Sequence, residues 1–219
     1  AAVTGDKNIA IGVLAARYLT SGENNVCLGY IAGTNLTTGG DNVIIGKDAG
    51  TAMTTGGNAT LVGWAAGEDN TTGAHLTAVG RGAAMNNTTG GYNVALGANA
   101  LQTNTTAGYN VAVGYNALND SNSSYNTAVG YNVMELQTTG DRNTAVGAYA
   151  MDAATTGSSN VALGFDALYA QTGANENVAV GARAMMAITT GSYNVGVGAS
   201  ALRTASTGNE NTAIGWGTL

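Results

Sequence analysis

A glycine preceded by an aliphatic residue returns every seventeen positions along the whole chain. It stands at Gly12, Gly29, Gly46, Gly63, Gly80, Gly97, Gly114, Gly130, Gly147, Gly164, Gly181, Gly198 and Gly215. The one interval of sixteen, between Gly114 and Gly130, falls at NDSNSSYN, where other copies carry a TTG turn. A period held through thirteen copies predicts a single domain over residues 1–219, built from one small unit stacked on itself. With 44% hydrophobic and only 9% charged residues, the chain reverses the composition of a disordered segment. Its glycine is not at every third position, which excludes a collagen helix.

The columns of the repeat give local structure. Three residues before the anchor glycine the position is always β-branched, from Ile9 and Val26 to Val195 and Thr212. One before, it is always aliphatic; two before, it is alanine except at Cys27, Ile44, Leu61 and Gly196. Short β-branched runs with period two predict a strand. Period two then sets the β-branched and aliphatic columns on one face, expected inward, and the alanine column on the other, expected outward. Three residues past the anchor alanine returns in eleven copies, followed from the sixth copy on by Leu or Met, as at Leu101, Met134 and Met185. This predicts a second strand-like side, closed by the Thr-Thr-Gly turn.

A single circuit holds too few large apolar residues to be stable alone, so stability is expected from stacking strand on equivalent strand. The reading is an all-β parallel β-solenoid, or β-roll, of thirteen seventeen-residue coils, about 60 Å long at about 4.8 Å per coil. Asparagine four before the anchor (Asn8, Asn25, Asn42, Asn93, Asn110, Asn126, Asn143, Asn160, Asn177, Asn194 and Asn211) becomes a column of amides bonded coil to coil. Copies one to five carry Ala or Gly where later copies have Leu or Met, and Leu19, Leu36 and Met53 are expected to fill that space. Residues 1–90 and 91–219 are therefore expected to have differently filled cores. A small outward alanine column also predicts a neighbouring backbone packed against it, hence a side-by-side homo-oligomer; the alternative is that both alanine columns lie inside a thin single coil.

The phrase N-[TV]-A-[VIL]-G, with an alanine three residues on and then a glycine-containing turn, resembles the head repeats of YadA-type trimeric autotransporter adhesins. VAVGYNAL at 111–118 is similar to repeats of bacteriophage tail fibres. The resemblance covers the entire chain. It implies a left-handed roll, three chains side by side, an extracellular, cell-surface or virion location, and a role in host attachment.

Searching the columns for chemistry predicts a non-enzymatic protein. His75, the only histidine, is read as a replacement in the asparagine column, and Cys27 stands alone. Neither has the partners of a triad or a zinc site, so no metal and no cofactor is expected. A net charge of −6 without a basic stripe argues against nucleic acid. No apolar run reaches the roughly 18–20 residues of a membrane span, so no insertion is expected. Tyr92, Tyr109 and Tyr125 share one column, with Tyr115 and Tyr131 beyond neighbouring anchors, and together they form a possible face for a cell-surface glycan or receptor. The alternative for the tyrosines is stacking on one another; for the paired threonines, an ice-binding array. Opening in register at AAVTG and stopping within the thirteenth circuit, the segment is expected to belong to a longer fibre or to stack end to end.

Overall fold

The computed structural model describes residues 4–204 and 206–219, so Ala1, Ala2 and Val3 of the opening AAVTG lie outside it. The chain forms an all-β parallel solenoid with no helix among the described residues. It divides into two compact units, Ala1–Asn110 and Val111–Leu219. The first holds β1 (Ile9–Ile11), β2 (Val26–Leu28), β3 (Val43–Ile45), β4 (Thr60–Val62), β5 (Thr77–Val79) and β6 (Val94–Leu96). The second holds β7 (Val111–Val113), β8 (Thr127–Val129), β9 (Thr144–Val146), β10 (Val161–Leu163), β11 (Val178–Val180), β12 (Val195–Val197) and β13 (Thr212–Ile214). Within each unit the strands pair in chain order and in parallel. Every residue lies beside its own equivalent, as Val43 beside Thr60 and Val161 beside Val178.

The sixteen-residue coil keeps this register, with Val111 opposite Thr127. Its missing residue is absorbed in the turn, where Ser121 and Ser123 are buried with hydroxyl oxygens 3.0 Å apart.

The anchor glycine is fixed by two requirements. Its φ lies between 126° and 147° in all thirteen copies, a region open essentially to glycine alone. A Cβ on Gly46 would also stand 2.2 Å from the carbonyl oxygen of Gly63 in the next coil. Close backbone approach, and not only turn geometry, therefore excludes a side chain.

Burial reverses the expected faces of the strand. The central position is inside: Cys27, Ile44, Leu61, Ala78, Ala95 and their equivalents through Ala179 are fully buried. The β-branched and aliphatic columns on either side are half-exposed. The alanine column three past the anchor is buried as well, at Ala32, Ala49, Ala66, Ala83 and Ala100. The coil is thin, and small residues are needed where its two sides meet. Size is complementary across that gap. A Cβ on Gly67 would lie 2.9 Å from Leu61 Cδ2, and one on Gly196 would lie 2.8 Å from Met185 Cγ. Gly33, Gly50 and Gly67 thus face Cys27, Ile44 and Leu61, while Leu19, Leu36 and Met53 are buried as expected, against the turn glycines Gly22, Gly39 and Gly56.

The second side is not a strand. It is a run of turns in which the second and fourth residues past the anchor adopt left-handed φ, as Asn116 (52°) and Leu118 (50°), or Tyr149 (57°) and Met151 (53°). Leu and Met rarely take this conformation. Here it swings Leu101, Leu118, Met134, Met151, Leu168 and Met185 fully into the core. Burying each of these side chains is worth about 1.5–3 kcal/mol, which offsets a cost of order 1–3 kcal/mol for holding its own backbone in that region.

Candidate functional site

Two kinds of side chain, the asparagine amides and the threonine hydroxyls of the turns, hold one coil to the next. Between neighbouring asparagines of the column the backbone N–H donates to the amide oxygen of the preceding coil, as Asn25 N to Asn8 Oδ1 (2.9 Å) and Asn160 N to Asn143 Oδ1 (2.9 Å). The Nδ2 groups donate to turn carbonyls, as Asn25 to Gly39 O (3.0 Å) and Asn177 to Gly191 O (2.9 Å). Ala59 and Leu76 interrupt the column. There a second, shorter ladder takes over: Asn70 Nδ2 donates to Gly73 O and Asn87 Nδ2 to Gly90 O, both at 3.0 Å. Asn87 and Asn104 also donate to Asn70 Oδ1 and Asn87 Oδ1, at 3.0 and 2.8 Å. The buried turn carbonyl keeps a donor either way. This second ladder was not expected, although three asparagines seventeen apart, starting where the first column fails, are visible in the sequence.

The first threonine of each turn is likewise structural. Thr37 Oγ1 donates to Thr54 O (3.0 Å), Thr71 to Thr88 O (2.9 Å) and Thr155 to Thr172 O (2.8 Å). The second threonines, such as Thr55, Thr72 and Thr89, are exposed.

The tyrosines form two sets. Tyr92, Tyr109 and Tyr125 stand at the left-handed corner before the strand, with φ of 59°, 62° and 64°. His75 belongs to this column and not to the asparagines, whose replacements are Ala59 and Leu76. Its ring stacks on Tyr92 at 4.6 Å, and Tyr92 stacks on Tyr109 at 5.1 Å with planes 5° apart. Tyr115 and Tyr131, at the corner after the strand, stack at 5.4 Å. Ring faces in these stacks are turned to one another, while the residues remain about half exposed.

Cys27 is buried, and burial pushes its thiol up to about 11, so it is an inert core residue. Among the described residues no three His, Cys, Asp or Glu side chains come together as metal ligands, and no helix is long and apolar enough to cross a membrane. Two carboxyls, those of Glu68 and Asp152, are raised, both mainly by burial. Glu68 is raised by burial, then by Asp69 and Asp48, against the lowering effect of Lys47.

Asp152 is the strongest case. Burial, then Glu135 and Asp166, raise its carboxyl to about 6, and its Oδ1 has no hydrogen-bond partner among the described residues. The folded value exceeds the ordinary one, so protonation stabilises the fold. That stabilisation is full below about 4 and is lost as pH rises through about 6. Because the residue is partly exposed, screening reduces the effect to about 1 kcal/mol. Melting at pH 5 should therefore occur above melting at pH 7.5, and Asp152→Asn should raise the pH 7.5 value and flatten the profile. A variant with an unchanged pH profile would show that Asp152 is not the titrating group.

Comparison with protein-family models, with curated proteins and with solved structures finds no match to this chain.

Proposed function

We propose that this chain is a non-enzymatic structural segment of an extracellular or virion fibre, of the kind found in adhesin heads and phage tail fibres, that supports attachment to a host. The observation that carries this reading is where the polar groups go. Backbone, asparagine amides and threonine hydroxyls are joined coil to coil within each unit, an arrangement suited to carrying load along a stack. The resemblance of the repeat phrase to those of such fibres supports the same reading. Antibodies against the chain should label surface appendages of the cell or particle that makes it. Labelling confined to the cell interior would overturn the proposal.

A side-by-side homotrimer is part of this reading, but on a different surface from the alanine column, which is internal. The half-exposed strand face carries Val146 and Leu163 at 40% and 37% exposure and is bordered by aromatic corners. A flat apolar face repeated strand after strand suits a second copy of itself. Sedimentation should give three times the chain mass, and Val146→Lys with Leu163→Lys should give the single-chain mass with an unchanged far-ultraviolet spectrum. A monomeric parent protein at micromolar concentration would remove the trimer.

A further inference from the structure

The surface of the second unit is periodic, and bulky side chains break the period in one place. Tyr149, Phe165, Asp166, Tyr169 and Met186 line an open cleft of about 350 Å³. A second cleft of about 610 Å³, lined by Tyr169, Ala170, Met186, Ala187, Arg203 and Thr204, adjoins it along Tyr169 and Met186.

One wall is internally committed. Tyr149 meets Phe165 edge-on at 6.1 Å, and the Arg183 guanidinium lies 5.9 Å from the Phe165 centroid. Arg183 Nε also stands 3.6 Å from Asp166 Oδ2. Two other groups are not committed. Tyr169 is 36% exposed, and its ring stacks on no other ring among the described residues. Arg203 is the one basic side chain of the second unit without an ionic partner among the described residues, since Arg142 pairs with Asp141 and Arg183 with Asp166.

These groups select a ligand by chemistry. An unpaired guanidinium recognises a carboxylate. An aromatic face beside it packs against the C–H face of a ring. Asp166, two coils from Arg203 and so roughly 10 Å away along the stack, can accept hydrogen bonds from hydroxyls. A polyanion would meet Asp166, Asp152 and Glu135 at that end, and an apolar peptide would leave both charged ends unused. A sugar that carries one acid group satisfies all three.

We propose that this cleft binds a carboxylate-bearing saccharide, with the sugar ring on Tyr169, its carboxylate on Arg203 and its hydroxyls donating to Asp166. The proposed contacts, Tyr169, Arg203 and Asp166, lie outside the stacked tyrosine columns, although Tyr149 in the wall meets Tyr131 edge-on at 5.4 Å; the success or failure of this site is independent of the fibre reading above.

The test titrates the intact chain with a glucuronic-acid-terminated disaccharide, the same disaccharide with its carboxyl reduced, and acetate. The acidic disaccharide should bind, and the reduced one should bind about tenfold more weakly or worse. Arg203→Ala should remove that preference without shifting the melting temperature, as expected for an exposed side chain. Tyr169→Phe should retain binding and Tyr169→Ala should lose it. Should Tyr169→Ala fail to fold, the comparison of Arg203→Ala with the parent protein still decides. The proposal is overturned by no binding at about 10 mM, by equal binding of the neutral disaccharide, by an Arg203→Ala variant that binds normally, or by acetate binding as tightly as the sugar, which would mean an anion site only.

Discussion

Gly147→Ala is expected to destroy the ordered stacking of the second unit, with a loss of about 4 kcal/mol or more. The residue has φ of 133°, and an added Cβ would lie 2.5 Å from Gly164 O and 2.6 Å from Gly164 C. Neither backbone can retreat easily. Gly147 N donates to Val129 O and Gly164 N to Val146 O, both at 2.8 Å, so widening one gap breaks the ladder on either side. Gly57→Ala is the matched control. Its φ is not in the left-handed region, the new Cβ meets Gly40 O at 3.1 Å, and the second unit carries Ser158 and Ser192 in the same column. It should shift stability by less than about 1 kcal/mol. Thermal unfolding followed by circular dichroism distinguishes the two. A Gly147→Ala protein that melts within about 2 °C of the parent would mean that coil spacing is not set by this contact.

Strand position and coil length were legible in the sequence because a parallel stack lays like on like. A β-branched residue at every copy of one position has no simpler explanation than a strand. The face assignment failed because period two states which residues share a face, not which face is inward. The deciding signal lay in the exceptions to the alanine column. Cys27, Ile44 and Leu61 occur only in the copies that have Gly33, Gly50 and Gly67 across the coil. Gly196, in turn, meets Met185. Inverse size between two columns means that they meet, and that relation is present in the sequence alone.

The left-handed Leu and Met residues could not have been read in this way. Nothing in the intrinsic preference of Leu118 or Met151 suggests φ near 50°, which tertiary packing imposes. The cleft at Tyr169 was hidden for a different reason. Its residues come from several columns in successive coils, so no column-by-column reading brings Phe165, Tyr169 and Arg203 together. The tyrosine columns, by contrast, are plain in the sequence, which is compatible with either mutual stacking or a ligand face, and Tyr92 and Tyr109 do stack.

Asn177→Leu should cost about 3 kcal/mol, and adding Ile188→Asn should restore a large part of it. The single change strips the buried Gly191 carbonyl of its Nδ2 donor (2.9 Å) and leaves Asn194 N without its acceptor (2.9 Å). The second change copies the solution already present in the first unit. There Leu76 occupies the asparagine position and Asn87, eleven residues on, donates to Gly90 O. Ile188 stands in the place of Asn87 and is fully buried, so exchanging Asn177 and Ile188 for Leu and Asn keeps both the apolar volume and the turn donor in the same coil. Rescue should be incomplete, because a leucine at 177 cannot accept from Asn194 N. A double-mutant cycle in urea should therefore show a favourable coupling of about 1–2 kcal/mol between two positions that share one carbonyl. Strictly additive losses would mean that Asn70 and Asn87 only happen to lie beside their carbonyls, and that the gap at Ala59 and Leu76 is tolerated for some reason other than a replaced hydrogen bond.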